Sequence, residues 1–338
     1  MKLTQQKYDE DKFEFTLQND NNMTVKLLNY GATLEKILLP NSKGKLENII
    51  LSLEKPSDYD KERNYLGGSV GRVIGRIKDG LWQESNKKVN RFVLNENNKT
   101  HSHGGYEGID TQIFSFQTQS NDDSCSVIFH LIDPNGHNNY PGNLDLTITY
   151  TLDNTDTLAY EVSASSDQTT LCNIANHVYF ALDGPNTSIE SNQLKINADN
   201  FLPLDKDHLP FGKENSVENS VFDFKKFAQI GATINSNDPQ IKQEGGLNHP
   251  FILNGDPIAA ELKSSDKTKC LKMTTTNPSI VAYTGNHFNH TNFTKNIGKY
   301  GGIALEAQYP PTNDIRLLDI VLTPDEQYYA KTTWNFTF

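Results

Sequence analysis

Leu144, Leu146, Ile148, Tyr150 and Leu152 alternate with polar residues, the cluster Asp153-Asn154-Thr155-Asp156 follows, and Leu158, Tyr160, Val162 and Ala164 then alternate again. A side-chain period of two is that of a strand with one face buried and one in water. Asp and Asn between such runs supply a turn by hydrogen-bonding their own backbone. The stretch therefore predicts an antiparallel hairpin lying on a core. The same pattern recurs outward from it. Phe13, Phe15 and Leu17 precede Asn19-Asp20-Asn21-Asn22, and Met23, Val25 and Leu27 follow. Alternation also marks Cys125/Val127/Phe129/Leu131, Leu194/Ile196 and Trp334/Phe336/Phe338. Helical periodicity is confined to short candidates near Phe222 to Ile230 and Pro239 to Glu244. The Asn-rich stretches near Asn19 and Asn95 read as exposed turns.

Many strands separated by Asn/Asp/Gly turns predict an all-β fold, a large antiparallel β-sandwich with few short helices. At 338 residues the length alone would suit two domains or one large one. No linker, charge block or repeat divides the chain, so residues 1–338 read as a single domain. Charged residues make up 22% and hydrophobic ones 36%, a polar but foldable balance that excludes wholesale disorder. A mean hydropathy of −0.60, without a long apolar run, argues against a membrane span. The net charge of −11 opposes attraction to nucleic acid and anionic lipid. Met1 to Phe15 lacks the apolar core of a signal peptide, which predicts a cytoplasmic protein. Cys125, Cys172 and Cys270 are odd in number and widely spaced, so they predict small buried residues rather than a disulfide framework or a metal site.

Chemistry must then come from His and carboxylate side chains near glycine-rich turns. In His101-Ser102-His103-Gly104-Gly105, two histidines at i and i+2 on a strand would face one side, toward an open cleft. They could ligate a metal, but no third ligand stands at a recognisable spacing, so no metal is expected. His177, in Asn173-Ile174-Ala175-Asn176-His177-Val178-Tyr179-Phe180, is either a hydrogen-bonded core histidine or a functional one. Glu306, in Gly301-Gly302-Ile303-Ala304-Leu305-Glu306-Ala307-Gln308, sits inside an apolar strand pattern. A buried carboxylate is costly unless paired, so it is an ion-pair partner or a functional base.

With Gly67-Gly68-Ser69-Val70-Gly71-Arg72-Val73-Ile74-Gly75-Arg76 upstream, these segments resemble the aldose 1-epimerase (galactose mutarotase) family in order and spacing. Asn29-Tyr30-Gly31-Ala32, Tyr140-Pro141-Gly142, Gly246-Leu247-Asn248-His249-Pro250-Phe251 and Tyr283-Thr284-Gly285-Asn286 extend the resemblance over nearly the whole chain. It implies a galactose mutarotase-like supersandwich whose cleft binds a small-molecule sugar, with no cofactor. The implied activity interconverts the α and β anomers of a free aldose such as galactose, glucose or maltose. That reaction needs a base at the C1 hydroxyl and an acid at the ring oxygen. By resemblance Glu306 is the base, His177 the acid, and His103 protonates or hydrogen-bonds near the ring oxygen. Arg76, Asn248 and Tyr283 would bind the sugar, and Arg72 would be a structural cation.

Two positions depart from the family pattern. Asn248 stands where the family has Asp, which removes a charge and adds donors. Val281 stands where many members have Gln. The expected enzyme is an isomerase of carbohydrate, including galactose, metabolism, working as monomer or homodimer. A non-catalytic carbohydrate-binding protein is the alternative from another class. A glycoside hydrolase would need a second carboxylate beside Glu306. The acidic chain suits a neutral sugar, which needs no electrostatic steering.

Overall fold

The computed structural model describes residues 1–291 and 294–338. The hairpin that decided the reading forms strands Leu144–Asp153 and Thr157–Ser166, paired antiparallel with Ile148 opposite Val162. Leu144, Leu146, Ile148, Tyr150 and Leu152 are fully buried, while the residues between them are not. This pair lies inside a nine-stranded antiparallel sheet. On one side it adds Ser124–Asp133 and Ser115–Ser120. On the other it adds Tyr328–Thr337, Cys270–Thr275, Ala260–Lys263, Gln193–Ile196 and Ala228–Gln229. The first hairpin also forms, as Lys12–Gln18 with Thr24–Leu28, inside a five-stranded N-terminal sheet.

A six-stranded sheet positions the site. Its order is Tyr179–Phe180, Ile303–Gln308, Ser279–Tyr283, Asn248–Leu253, Ala198–Phe201 and Asn215–Ser216. One face of it, carrying Phe180, Ile303, Leu305, Ala307, Ile280, Ala282 and Phe251, packs into the same core as the nine-stranded sheet. Alternation sends the intervening residues to the opposite face. Directly paired residues share a face, so register alone gathers Asn248, Tyr283, Ala304 and Tyr179 in one row, and Pro250, Val281 and Glu306 in the next. The strand bearing Glu306 is buried on both sides because its second face floors a cleft rather than a core.

Several expectations need correction. The candidate helix near Phe222 to Ile230 is irregular up to the short strand Ala228–Gln229, and the helix is Ile230–Ile234. Phe222 instead stacks on Phe201 at 4.0 Å, outside any helix. The helix Pro239–Glu244 forms as expected, capped by the Asp238 side chain. Asn19 is buried rather than exposed. Its amide reaches the Asp153 carbonyl at 3.0 Å and the Asp156 carboxylate at 2.6 Å, joining two hairpin turns. Asn97 and Asn98 do form an exposed turn, in left-handed conformation. Cys125 and Cys172 are buried, but Cys270 is only partly so. Phe338 falls outside the last strand and is exposed.

Candidate active site

A cavity of about 290 Å3 opens on the second face of the six-stranded sheet. Glu306, His177, His103, Arg76, Asn248 and Tyr283 all line it. The structure thus brings together every residue proposed for the site, and it seats Val281 beside them. At the centre His177 Nε2 lies 3.3 Å from Glu306 Oε1, and both residues are 4% exposed. Burial pushes the Glu306 carboxyl up, and His177 and Arg76 temper that rise.

His177 is fixed through its backbone. Its N–H donates to the Gly68 carbonyl at 2.9 Å, and its carbonyl accepts from Gly67 N–H at 3.0 Å. Gly67 has φ +66, and a Cβ there would overlap the Leu34 carbonyl, which explains glycine at this point of the motif. The neighbouring Asn176 amide donates to the Gly67 carbonyl at 2.6 Å and to the Tyr150 hydroxyl at 2.8 Å, tying the segment to the central hairpin.

Arg76 opens, and His103 directly follows, the strands of one small antiparallel pair, Arg76–Lys78 with Thr100–Ser102. Here the two histidines part company. The strand ends at Ser102, and His103 turns left-handed at φ +48. His101 consequently faces the core, fully buried, with Nε2 2.7 Å from the Tyr140 hydroxyl and Nδ1 2.8 Å from the Val93 carbonyl. The expectation that both would face the cleft fails because the period of two stops between them. Gly104 follows with φ +76, where a Cβ would overlap the Gly71 carbonyl. The Gly75 N–H donates to His103 Nδ1 at 3.3 Å, so a neutral ring carries its proton on Nε2. Burial, reinforced by His177, Arg76 and Arg63, holds His103 well below the usual histidine range. It is therefore a neutral donor rather than a charged acid.

Arg76 grips Glu96 with two bonds, Nε to Oε2 at 2.6 Å and Nη2 to Oε1 at 2.8 Å. Thr100 Oγ1 adds a third at 2.7 Å. Burial works to raise the Glu96 carboxyl, but these donors override it and hold it below the usual range. Arg72 is a different kind of cation. It is 1% exposed, pairs with Asp133, and donates to the carbonyls of Pro141 and Gly142 at 2.9 Å each. The Tyr140-Pro141-Gly142 motif is thus the cage of a structural arginine. The Thr284-Gly285-Asn286 motif has a similar role. The Asn286 amide donates to the Glu244 carbonyl at 3.1 Å and the Leu247 carbonyl at 2.8 Å, anchoring the turn that presents Asn248.

Sequence reasoning missed Glu96, His208, Glu244 and Tyr65. Glu96 lay in a stretch read only as a turn. The Tyr65 ring packs 4.9 Å from His103 and 6.0 Å from His177, and nothing in its local sequence signals this. Among the described residues no cluster of three or more His, Cys, Asp or Glu is placed to hold a metal ion. No helix among them is long and apolar enough to cross a membrane.

Comparison with known proteins agrees with this geometry. A crystal structure of galactose 1-epimerase from Lactobacillus acidophilus NCFM superposes with a TM-score of 0.93 at 44% identity, covering 99% of this chain and 98% of the other. An aldose epimerase homologue from C. elegans shares the fold with a TM-score of 0.82 at 23% identity, covering 95% of this chain and 98% of the other. Aldose 1-epimerase of Escherichia coli (strain K12) is 31% identical over 95% of this chain and 94% of its own length. Human galactose mutarotase is 30% identical over 95% of this chain and 92% of its own. The aldose 1-epimerase family model matches residues 14–335, and with these relatives it establishes that the chain belongs to the aldose 1-epimerase family of isomerases.

Proposed function

We propose that the cleft catalyses mutarotation of a free aldose, galactose first among candidates, with Glu306 as base and His177 as acid. The observation that carries the assignment is the buried Glu306 carboxylate 3.3 Å from His177 Nε2 on the floor of a cavity. Glu306 takes the C1 hydroxyl proton while His177 gives one to the ring oxygen. The C1–ring oxygen bond breaks, the C1 oxygen becomes the aldehyde carbonyl, and rotation about C1–C2 exposes its other face. On reclosure the ring hydroxyl returns its proton to His177, and Glu306 returns its own to the C1 oxygen. No proton is gained or lost, so the pair is reset at every turnover.

His103 Nε2–H donates to the ring oxygen region, and Arg76, Asn248 and Tyr283 hold the remaining hydroxyls. Galactose is favoured by the names of two relatives, galactose 1-epimerase and galactose mutarotase. We read residues 1–338 as one catalytic unit acting in the cytoplasm, as a monomer or homodimer, in galactose metabolism. A hydrolase would need a second free carboxylate. Glu96, the other carboxylate lining the cavity, has both oxygens engaged by Arg76.

Freshly dissolved α-galactose followed by polarimetry tests the reading. The protein should speed the approach to the spontaneous end point without changing that end point. An unchanged rate with galactose, glucose and maltose would refute it, and new reducing ends from lactose would favour a hydrolase.

A further inference from the structure

The wall of the cleft that carries Asn248 is polarised from behind. Glu244, the last residue of the helix Pro239–Glu244, is 2% exposed. Its Oε2 accepts from Asn248 Nδ2 at 2.9 Å and from His208 Nδ1 at 2.8 Å, and its Oε1 accepts from Gln243 Nε2 at 2.9 Å. Burial works to raise this carboxyl, but the three donors override it and hold it at about 2. Glu244 is therefore ionised, and an ionised carboxylate can only accept.

That restriction sets the direction of both partners. The Asn248 amide must turn its NH2 back to Glu244, which leaves Oδ1 for the cavity that the residue lines. His208 must carry a proton on Nδ1, and its Nε2 has no partner among the described residues although His208 also lines the cavity. The supports are rigid. Asp205 Oδ1 accepts from Asp207 N–H at 2.8 Å and Leu209 N–H at 3.1 Å, holding His208 at φ +59. Gln243 Nε2 donates to the carbonyls of Leu204 and Asp205, tying this loop to the helix end.

We propose that Glu244 is a positioning residue that fixes the hydrogen-bond polarity of the sugar-binding wall, and that His208 is a specificity residue contacting the sugar. Asn248 Oδ1 accepts from one hydroxyl of a neutral hexopyranose. His208 Nε2 accepts from another when the ring is neutral and donates to it when the ring is protonated. This rests on the mutarotase reading of the cleft. It makes sugar affinity, rather than the chemical step, depend on the His208 titration. Glu244 raises that titration through its hydrogen bond; burial lowers it, Arg76 lowers it, and Glu96 raises it. His287 faces the same space, and Asp207 adjoins His208 in the loop. The net direction is upward, so His208 changes charge above the ordinary histidine range.

The test measures KM and kcat for galactose by polarimetry from about pH 5.5 to 8.5, and galactose Kd by calorimetry, for wild type, Glu244→Gln and His208→Gln. Both partners share Oε2, so a glutamine at 244 removes the charge that fixes them and, with its one oxygen turned to them, sets its own NH2 against the Gln243 Nε2 donor. KM and Kd should rise about tenfold with kcat within about twofold, and the pH dependence of KM should flatten. His208→Gln, at a half-buried site, should flatten the KM profile while leaving the pH profile of kcat in place. A folded Glu244→Gln with wild-type KM and Kd, or a KM profile that survives in His208→Gln, would overturn the proposal. If Glu244→Gln does not fold, the His208→Gln profile decides. Galactose binding that weakens as described, in a protein that does not accelerate mutarotation, would remove the mutarotase reading and leave the polarised wall standing.

Discussion

Replacing Glu306 by Gln separates a catalytic base from a structural ion pair, because the two roles predict opposite consequences for stability. Glutamine keeps the shape of the side chain and its polar contact with His177 Nε2, which lies 3.3 Å from the present carboxylate. It cannot accept a proton. Loss of a general base costs about 10² to 10⁴ in rate, or about 2.7–5.5 kcal/mol in the barrier. Stability should not follow. Burial raises the Glu306 carboxyl above its unfolded value, so the folded state binds more protons than the unfolded state between those two values. Stability therefore falls as pH rises through that window, and the ionised carboxylate is a burden above it. Glu306→Gln should keep or gain melting temperature at about pH 8 while losing activity. The assay is the first-order polarimetric rate of fresh α-galactose against enzyme concentration, paired with thermal melts of the same preparations. The acid limb of the wild-type profile should also lie above the ordinary glutamate range and vanish in the variant. A variant keeping more than about a tenth of wild-type kcat would remove Glu306 as base. Loss of fold together with activity would mark it as a structural partner.

Two further outcomes test the scaffold. Arg72→Met leaves Asp133 buried without its guanidinium and the Pro141 and Gly142 carbonyls without a donor, and should cost about 3–5 kcal/mol in chemical denaturation. A loss below about 1 kcal/mol would mean that the cage contributes little. Glu35 is fully buried 3.0 Å from Lys36 Nζ, and burial, with Glu14 nearby, pushes its carboxyl up to about 7 against the opposing pull of Lys36. As a raised carboxyl it costs stability as pH climbs from its unfolded value toward 7. Glu35→Gln should therefore gain more at pH 8 than at pH 5, by up to roughly 3 kcal/mol, and an equal effect at both would refute the assignment.

What the sequence revealed and what it hid follow from how far each interaction reaches. The central hairpin was legible because a period of two is a local property, and every expected inward residue from Leu144 to Leu152 is fully buried. Glu306 stood out because an acid in an apolar strand is anomalous wherever the strand goes. His101 misled because periodicity holds only while the strand continues, and this one ends at Ser102. Asn19 misled because its partners, Asp153 and Asp156, come from a hairpin 134 and 137 residues away. The Glu244–His208 contact was invisible for the same reason. It joins a helix end to a loop 36 residues earlier, and neither segment carries a pattern that points to the other.

The environments of the acids in and behind the cleft also explain how one of them can act as a base. Glu96 is saturated by Arg76 and Thr100, and Glu244 by His208, Asn248 and Gln243. Both are held below the usual carboxylate range and stay ionised through turnover. Glu306 is pushed the other way by burial, with His177 as its ion-pair partner. A carboxylate raised toward the working pH is the one whose proton affinity suits a sugar hydroxyl, whereas strongly acidic ones serve as fixed acceptors. His103, lowered, stays a neutral donor, and His208, raised, retains its charge further up the pH scale. The cleft thus gives like side chains unlike proton affinities, through burial at Glu306 and His103 and through hydrogen-bond partners at Glu96, Glu244 and His208. A further donor would lower the proton affinity of Glu306 without touching it. Val281, paired directly with Glu306 across the sheet, is the position from which a Gln could add one, shifting the acid limb of the profile downward while leaving turnover in place.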